Sequence, residues 1–312
     1  MTAIPTATDR RPLRFGLVGT GHWAQIVHAP ALATTDHIQF TAVWGRNPDA
    51  TAALAREHGV RAFSDLDAFF AEVDAVSFSV PPHIQSELAV RAARAGKHLL
   101  LEKPIATSDE AAQLLVDAVR TARVSTVVFL TARFHPAVRA WLADVSRQGG
   151  WSGGHGVWLG SLHEGNPFDT PWRRDKGALW DLGPHAISLL WAALGPVVGV
   201  TADGGPYDVA HLVLHHEGGA SSTVTVTSSA SEAAAGFDLF LWGDQGRSVV
   251  PADAHDALPA LRIALTELVE NARSGTAEHP CDVEFGQAIV RVLTQAQRQL
   301  NRRRANLGSL PG

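Results

Sequence analysis

A chain of 312 residues, 46% hydrophobic and 18% charged, holds more apolar material than one core needs and predicts two domains. Its net charge of -5 argues against a nucleic-acid partner, because backbone phosphates demand a concentrated basic face and Arg302-Arg303-Arg304 is the one run of that kind. A single cysteine, Cys281, excludes an internal disulfide and a thiolate cage for a metal.

Met1 to Pro12 is small and polar, with Arg10 and Arg11, and lacks the apolar stretch of an export signal. It reads as a flexible tail, and a chain of this kind is expected in the reducing cytoplasm. From residue 13 strand-like and helix-like patterns alternate, as a parallel sheet with helical crossovers does. Arg14 to Val18 reads as a strand, followed by glycines and a helix from about Trp23. Gln39 to Trp44 is a second strand, and Asn47-Pro48 opens a helix through Ala55 with proline in its first turn. Val60 to Phe63, Asp74 to Val80, His98 to Leu101 and Thr126 to Thr131 continue the series, with Ser108 as a helix N-cap. Residues 13–132 therefore predict an α/β fold, a doubly wound Rossmann sheet.

After about Arg133 the pattern changes, and residues 133–312 predict an α+β domain with a large, mostly antiparallel open sheet. Helix Pro136 to Arg147 gives way to Gly149-Gly150 and Gly153-Gly154, and then come strand-like stretches. These are Gly156 to Leu162, Val197 to Ala202, Val209 to His216, Ala220 to Ser228 and Asp238 to Trp242. Ser221 to Ser228 alternates valine with hydroxyl residues, as a half-exposed antiparallel strand does. The adjacent His215 and His216 would point to opposite faces of a strand, and the chain has no HExxH pair, so no metal site is expected. The apolar helix Ala186 to Leu194 stops at Gly195-Pro196, too short to span a membrane. Helices near Pro259 to Arg273 and Val283 to Arg303 are expected to cover one face of the second sheet.

Gly19-Thr20-Gly21-His22-Trp23-Ala24 lies between the first strand and its helix, and has the G-x-G-x-x-G/A form of a dinucleotide-binding turn. The first glycine makes the tight turn and the second lets the backbone approach a pyrophosphate. The small sixth residue lets helix and strand pack, and the helix N-terminus favours phosphate. An NAD site usually has an acid at the end of the second strand, whereas this chain has Trp44-Gly45-Arg46-Asn47. Arg46 can pair with a 2′-phosphate, and Gly45 leaves room for one. NADP(H) is therefore expected over NAD(H), which stays possible.

Glu102-Lys103-Pro104 falls just beyond a strand, on the edge where ligands of such sheets bind. Downstream comes Gly177-Ala178-Leu179-Trp180-Asp181-Leu182-Gly183-Pro184-His185. With the glycine turn, and with Val43 to Ala55, Pro81-Pro82 and Gly96-Lys97-His98, these motifs resemble the Gfo/Idh/MocA family, which includes glucose–fructose oxidoreductase and inositol dehydrogenase. The resemblance runs from Phe15 to about Leu300. It implies a nicotinamide cofactor bordered by the glycine turn, Pro81, Glu102 and Lys103, with the second domain closing the pocket. It also implies that Lys103, Asp181 and His185 are the catalytic set. Spacing adds its own reason, since residues i and i+4 share a face if the segment is helical. His185 would be the main proton donor and acceptor, Lys103 would orient and polarise the oxygen, and Asp181 would hold the substrate or the imidazole. Lys103 and His185 could exchange roles.

Two departures from the family pattern stand out. Gln85 occupies a position often held by histidine, with His83 two residues earlier. The run Pro171-Trp172-Arg173-Arg174-Asp175-Lys176 replaces a glycine-rich approach, and its arginines either bind an anionic or polyhydroxylated substrate or form a solvated loop. Trp172 and Arg173 are thus candidate substrate contacts, and the resemblance implies Arg133, after the last Rossmann strand, as another. The leading expectation is an NADP-preferring oxidoreductase acting on a carbonyl or hydroxyl carbon of a sugar, cyclitol or related molecule. The alternatives are a reductase of another substrate such as an imine, and a non-catalytic NADP-binding sensor. Homodimers or homotetramers, paired through the second sheet, are expected from the family resemblance.

Overall fold

The structure is a computed structural model that describes residues 11–252 and 256–308. Of the segment read as a flexible tail, all but Arg11 and Pro12 lie outside the described residues. Six parallel strands form the first sheet: β1 (Leu13–Val18), β2 (Ile38–Trp44), β3 (Arg61–Phe63), β4 (Ala75–Phe78), β5 (His98–Glu102) and β6 (Thr126–Phe129). Their order is β3-β2-β1-β4-β5-β6, so the direction of winding reverses between β1 and β4. Ligands of such sheets bind at that switch point, outside the carboxyl ends of the strands. The central strands are continuous apolar runs because both faces are covered; every residue of β4 and β6 is buried.

The crossovers are α1 (Ala29–Thr34), α2 (Pro48–Glu57), α3 (Leu66–Glu72), α4 (Pro82–Arg94) and α5 (Asp109–Ala122). Their starts are set by side chains that satisfy the free N–H groups of a first turn. Asn47 accepts from the N–H groups of Asp49 and Ala50, Asp65 from Ala68, and Ser108 from Ala111. The helix expected from about Trp23 is present: it opens at His22, widens into a π turn over Ala24–His28 and tightens into α1 at Ala29. Pro30 has no N–H for the ladder, and the wide turn before it buries His28 completely.

Short helices α6 (Thr131–Phe134) and α7 (Pro136–Gln148) lead into the second half. There α8 (Pro171–Asp181) and α9 (Gly183–Leu194) follow β7 (Trp151–Leu159). The second sheet is completed by β8 (Val197–Gly204), β9 (Ala210–His216), β10 (Ser221–Thr227), β11 (Gly236–Gly243) and β12 (Gly246–Val249). Its order is β12-β11-β7-β10-β9-β8. Every neighbouring pair is antiparallel except β10 with β7, so the valine–hydroxyl strand is antiparallel on one side only. α9 packs on β7 and β10 and covers one face. In β9 burial alternates strictly, which leaves His215 exposed and His216 buried on the other side between Gly195 O and Ser222 Oγ, at 2.8 Å from each.

β7 begins five residues before Gly156, running through Gly153 and Gly154. Those glycines are filled by their neighbours: a Cβ on Gly153 would stand 2.4 Å from Trp242, and one on Gly154 2.7 Å from Leu190. Small residues under large ones read as a loop in sequence and form a strand in space.

The closing helices, α10 (Ala257–Ser274) and α11 (Val283–Gly308), correct a second expectation. α10 packs on β5, β6, α1 and α6, so its buried stripe of Ala260, Leu261, Ala264, Leu265 and Leu268 covers the first sheet. α11 touches β6 and α5 on one side and β8 and α9 on the other. No described helix is long and apolar enough to cross a membrane.

Leu265 is fully buried in α10. Leu265→Ala is expected to cost about 2–5 kcal/mol in urea denaturation. Hydrogen exchange should show the lost protection in β5 and β6; loss centred on β8 and β9 would contradict the packing described.

Candidate active site

The glycine turn sits at the carboxyl end of β1. Gly19 has φ 127° and donates its N–H to Trp44 O at 2.9 Å, and a Cβ there would lie 2.2 Å from Ser79 O. Only glycine fits that turn. A Cβ on Gly21 would meet nothing within 4 Å, so this backbone faces open space, and Ala24 is fully buried against the sheet. A tight first position, an open second and a packed sixth fit a dinucleotide pyrophosphate.

At the end of β2, Gly45 proves to be required by the protein itself. A Cβ would stand 2.7 Å from Thr51 Oγ1 and 2.8 Å from Thr20 Cγ2. The glycine therefore lets the second strand end close against the turn, rather than simply leaving room for a phosphate. Arg46 beside it is exposed and has no ion-pair partner among the described residues.

Glu102 anchors the other side. Its Oε1 accepts from Trp23 Nε1 at 2.8 Å and lies 3.1 Å from His28 Nε2, and its Oε2 accepts from Lys103 N at 3.2 Å. His28 Nδ1 meets Ser77 Oγ at 2.8 Å, so one buried imidazole joins β4 to the end of β5. Gln85 is buried too. It gives a hydrogen bond to Glu102 O at 2.7 Å and takes one from Glu102 N at 2.8 Å, while His83 faces solvent. The departure at Gln85 is thus a clamp on the Glu-Lys-Pro turn, whose Lys103–Pro104 peptide is cis.

Lys103 reaches across the cleft. Its Nζ donates to Asp181 Oδ1 at 2.7 Å and to Asp181 O at 2.6 Å, while Arg173 Nε donates to Oδ2 at 2.9 Å. The segment carrying Asp181 is not one continuous helix. α8 is kinked at Gly177 (φ 69°, ψ -173°), restarts at Ala178, and passes at Leu182 into α9, where Pro184 interrupts the backbone ladder. Asp208 holds the restart by accepting from Ala178 N at 3.0 Å. Asp181 and His185 nevertheless line the same cavity from the two sides of that break. Burial alone would push the Asp181 carboxyl up. The charges of Lys103 and Arg173 and the Lys103 hydrogen bond outweigh it and hold the group at about 2. His185 is 8% exposed, and its ring lies 5.1 Å from that of Trp158.

These groups border a cavity of about 550 Å³ between the two sheets. It brings together Gly21, His22, Trp23, Pro81, Glu102, Lys103, Trp172, Arg173, Asp181 and His185. It does not bring in Arg133, whose guanidinium donates to Ser188 O at 3.0 Å and lies over Phe285. Gly19, Thr20, Ala24 and Arg46 stand outside the cavity, as the frame of the turn and the end of β2. Sequence reasoning missed Trp158, Phe168 and Thr131. Phe168 packs edge-on against His22 at 5.4 Å and Trp23 at 5.7 Å, closing the loop before α8 over the glycine turn. Its only sequence signal is a lone aromatic after Asn166-Pro167.

Cys281 is buried, and burial pushes its thiol up to about 11, which leaves it inert at neutral pH. Among the described residues no group of three His, Cys, Asp or Glu side chains could hold a metal ion.

The oxidoreductase family with an NAD-binding Rossmann fold matches residues 13–130, and the GFO/IDH/MocA C-terminal domain matches residues 110–249. The UDP-N-acetylglucosamine 3-dehydrogenase of Acidithiobacillus ferrooxidans is 30% identical over 76% of this chain and 74% of its own length. The chain belongs to the Gfo/Idh/MocA oxidoreductase family. Inositol 2-dehydrogenase of Rhizobium meliloti is 29% identical over 72% of the chain and 71% of its own. A levoglucosan dehydrogenase solved with NADH and levoglucosan superposes with a TM-score of 0.80 over 93% of this chain and 97% of that one, at 19% identity, which speaks to the fold.

Because the folded-state value of Asp181 lies below the usual 3.8, its ion pairs stabilise fully above about pH 4 and are lost as pH falls toward about 2. Asp181→Asn is expected to lose about 2 kcal/mol at neutral pH, a deficit that narrows through the acid range. Urea unfolding against pH measures it. A deficit independent of pH would assign the loss to packing.

Proposed function

We propose that this protein transfers a hydride between a nicotinamide dinucleotide, NADP(H) in preference to NAD(H), and the CH–OH or carbonyl carbon of a sugar, cyclitol or related small molecule. The observation that carries the reading is the convergence of Lys103, Asp181 and His185 on one cavity beside an open glycine turn. The relatives named as dehydrogenases of inositol, levoglucosan and an amino sugar support the substrate class.

The glycine turn would hold the pyrophosphate, and Pro81, Glu102 and Lys103 would border the nicotinamide. When bound, the cofactor supplies or accepts the hydride. Lys103 commits two N–H donors to Asp181 and, since an ammonium has three, keeps one for a substrate oxygen. That donor polarises the oxygen as its charge develops. His185 takes the hydroxyl proton when the alcohol is oxidised and returns it when the carbonyl is reduced. Asp181 orients the ammonium. Arg46, exposed at the end of β2 where an NAD site would carry an acid, supports the preference for a 2′-phosphate.

We place subunit pairing, as a homodimer or homotetramer, on the open face of the second sheet, where Trp242, Val213 and Val249 are exposed. We place the protein in the cytoplasm, where the lone thiol of Cys281 stays reduced.

Titration with NADPH and NADH by nicotinamide fluorescence tests the cofactor. Arg46→Ala should weaken NADPH binding by roughly 10- to 100-fold toward the NADH value. Lys103→Met and His185→Ala should each lower kcat by about 10²–10⁴-fold while nucleotide binding persists. Full turnover in both variants would overturn the roles given to Lys103 and His185, and nucleotide binding with no turnover of any sugar or cyclitol by the unaltered protein would leave a sensor as the better reading.

A further inference from the structure

His28 is fully buried behind the glycine turn and takes no part in the hydride chemistry. Its place is set by the local backbone. The chain leaves the glycine turn on an α-type bond, Gln25 N to Gly21 O at 3.1 Å, and then widens so that Ala29 N–H reaches back to Ala24 O. A single wide turn of this kind re-aims the side chains it carries, and such turns gather at functional sites. Here it sets the His28 ring between Ser77 of β4 and Glu102 at the end of β5.

Those two neighbours fix which nitrogen carries the proton. Nε2 lies 3.1 Å from Glu102 Oε1, and a carboxylate only accepts, so Nε2 is the donor. Nδ1 lies 2.8 Å from Ser77 Oγ, on a serine that is itself fully buried. A neutral ring with its proton on Nε2 accepts the Ser77 hydroxyl at Nδ1, and both side chains are then satisfied.

Glu102 in turn receives three N–H donors: Trp23 Nε1 and His28 Nε2 on Oε1, and Lys103 N on Oε2. A carboxylate offers about four acceptor positions, so one remains, on Oε2. Glu102 lines the cavity, and its side chain is 14% exposed. Its backbone is pinned separately by Gln85. What is left to set is the direction of the side chain, and Trp23 and His28 set it.

We propose that His28 is a positioning residue. Its Nε2–H, fixed by Ser77 on the other nitrogen, holds the Glu102 carboxylate so that the last acceptor position on Oε2 meets a donor at the nicotinamide end of the bound cofactor. With no exposed surface, His28 touches neither cofactor nor substrate and acts through Glu102. This rests on the dehydrogenase reading, which puts the nicotinamide beside Glu102.

The full chain is used throughout the test. In the unaltered protein, the imidazole nitrogen shifts of His28 in NMR, assigned through its contact with the Phe129 ring at 6.5 Å, should report the Nε2–H form. A proton on Nδ1 alone overturns the proposal, and this readout depends on no variant. Binding of NADPH, or of NADH where that binds tighter, is then followed by nicotinamide fluorescence. His28→Asn keeps a polar group near Nδ1 but cannot reach Glu102, and should weaken binding about 10-fold or more. His28→Gln places an N–H where Nε2 stands and should restore binding to within about 3-fold. In a Glu102→Ala background, His28→Asn should change Kd by less than about 2-fold, since the group it acts through is gone. Equal losses in His28→Asn and His28→Gln, or a loss that persists without Glu102, overturn the proposal and leave the dehydrogenase standing. An unaltered protein that binds neither nucleotide sinks the dehydrogenase reading and this proposal together.

Discussion

The Asp181 carboxylate, shared between Lys103 at the end of β5 and Arg173 on α8, is the contact on which the cleft depends. Its partners come from opposite halves of the molecule, and the cleft is bridged by Lys103, which donates to Asp181 Oδ1 at 2.7 Å and to Asp181 O at 2.6 Å. A pair this well enclosed tolerates little drift, because water is not on hand to replace a lost partner. The same carboxylate fixes which way the Lys103 ammonium presents its remaining donor. Structure and chemistry thus meet in one group.

Each member of that cluster is held by residues with no chemistry of their own. Gln85 clamps the backbone of Glu102, and Glu102 accepts from Trp23 and from the N–H of Lys103. Asp208 accepts from Thr227, Ser228, Ser229 and Ala178, and so fastens the kinked helix to the end of β10. Those bonds hold the Asp208 carboxyl below its usual range, although its burial works in the opposite direction. His28 belongs to the same category, placed by the π turn that follows the glycines. The two motifs of the first half are therefore connected through its imidazole.

What could be read in the sequence was whatever depends on local geometry. The Gly19 turn, the caps at Asn47 and Ser108, and the strand series follow from steric rules acting over a few residues, and the structure bears them out. Lys103, Asp181 and His185 came from the family resemblance, and the structure puts all three on one cavity. Three other assignments turned on neighbours that the local pattern does not reveal. Gly153 and Gly154 look like a loop until Trp242 and Leu190 are seen to fill them. Arg133 looks like a pocket residue until the Ser188 carbonyl is seen to take its guanidinium, and Gly45 looks like space for a ligand until Thr51 and Thr20 occupy it. Helix α10 carries a stripe that would suit either sheet, and only tertiary packing decides between them.

The placement of α10 bears on how such a chain can be taken apart and recombined. The face formed by β5 and β6 is roofed by a helix that lies more than a hundred residues further along the chain, and within β6 Val128 N donates a hydrogen bond to Cys281 O at 2.6 Å. The nucleotide half is thus finished by the tail of the other half, like a lid cut from the opposite end of the same sheet of paper. A splice made at the apparent border would carry an unroofed apolar face into any chimera. Exchange of substrate halves between relatives has to take α10 along with the first sheet, or retain a closely matched copy of it.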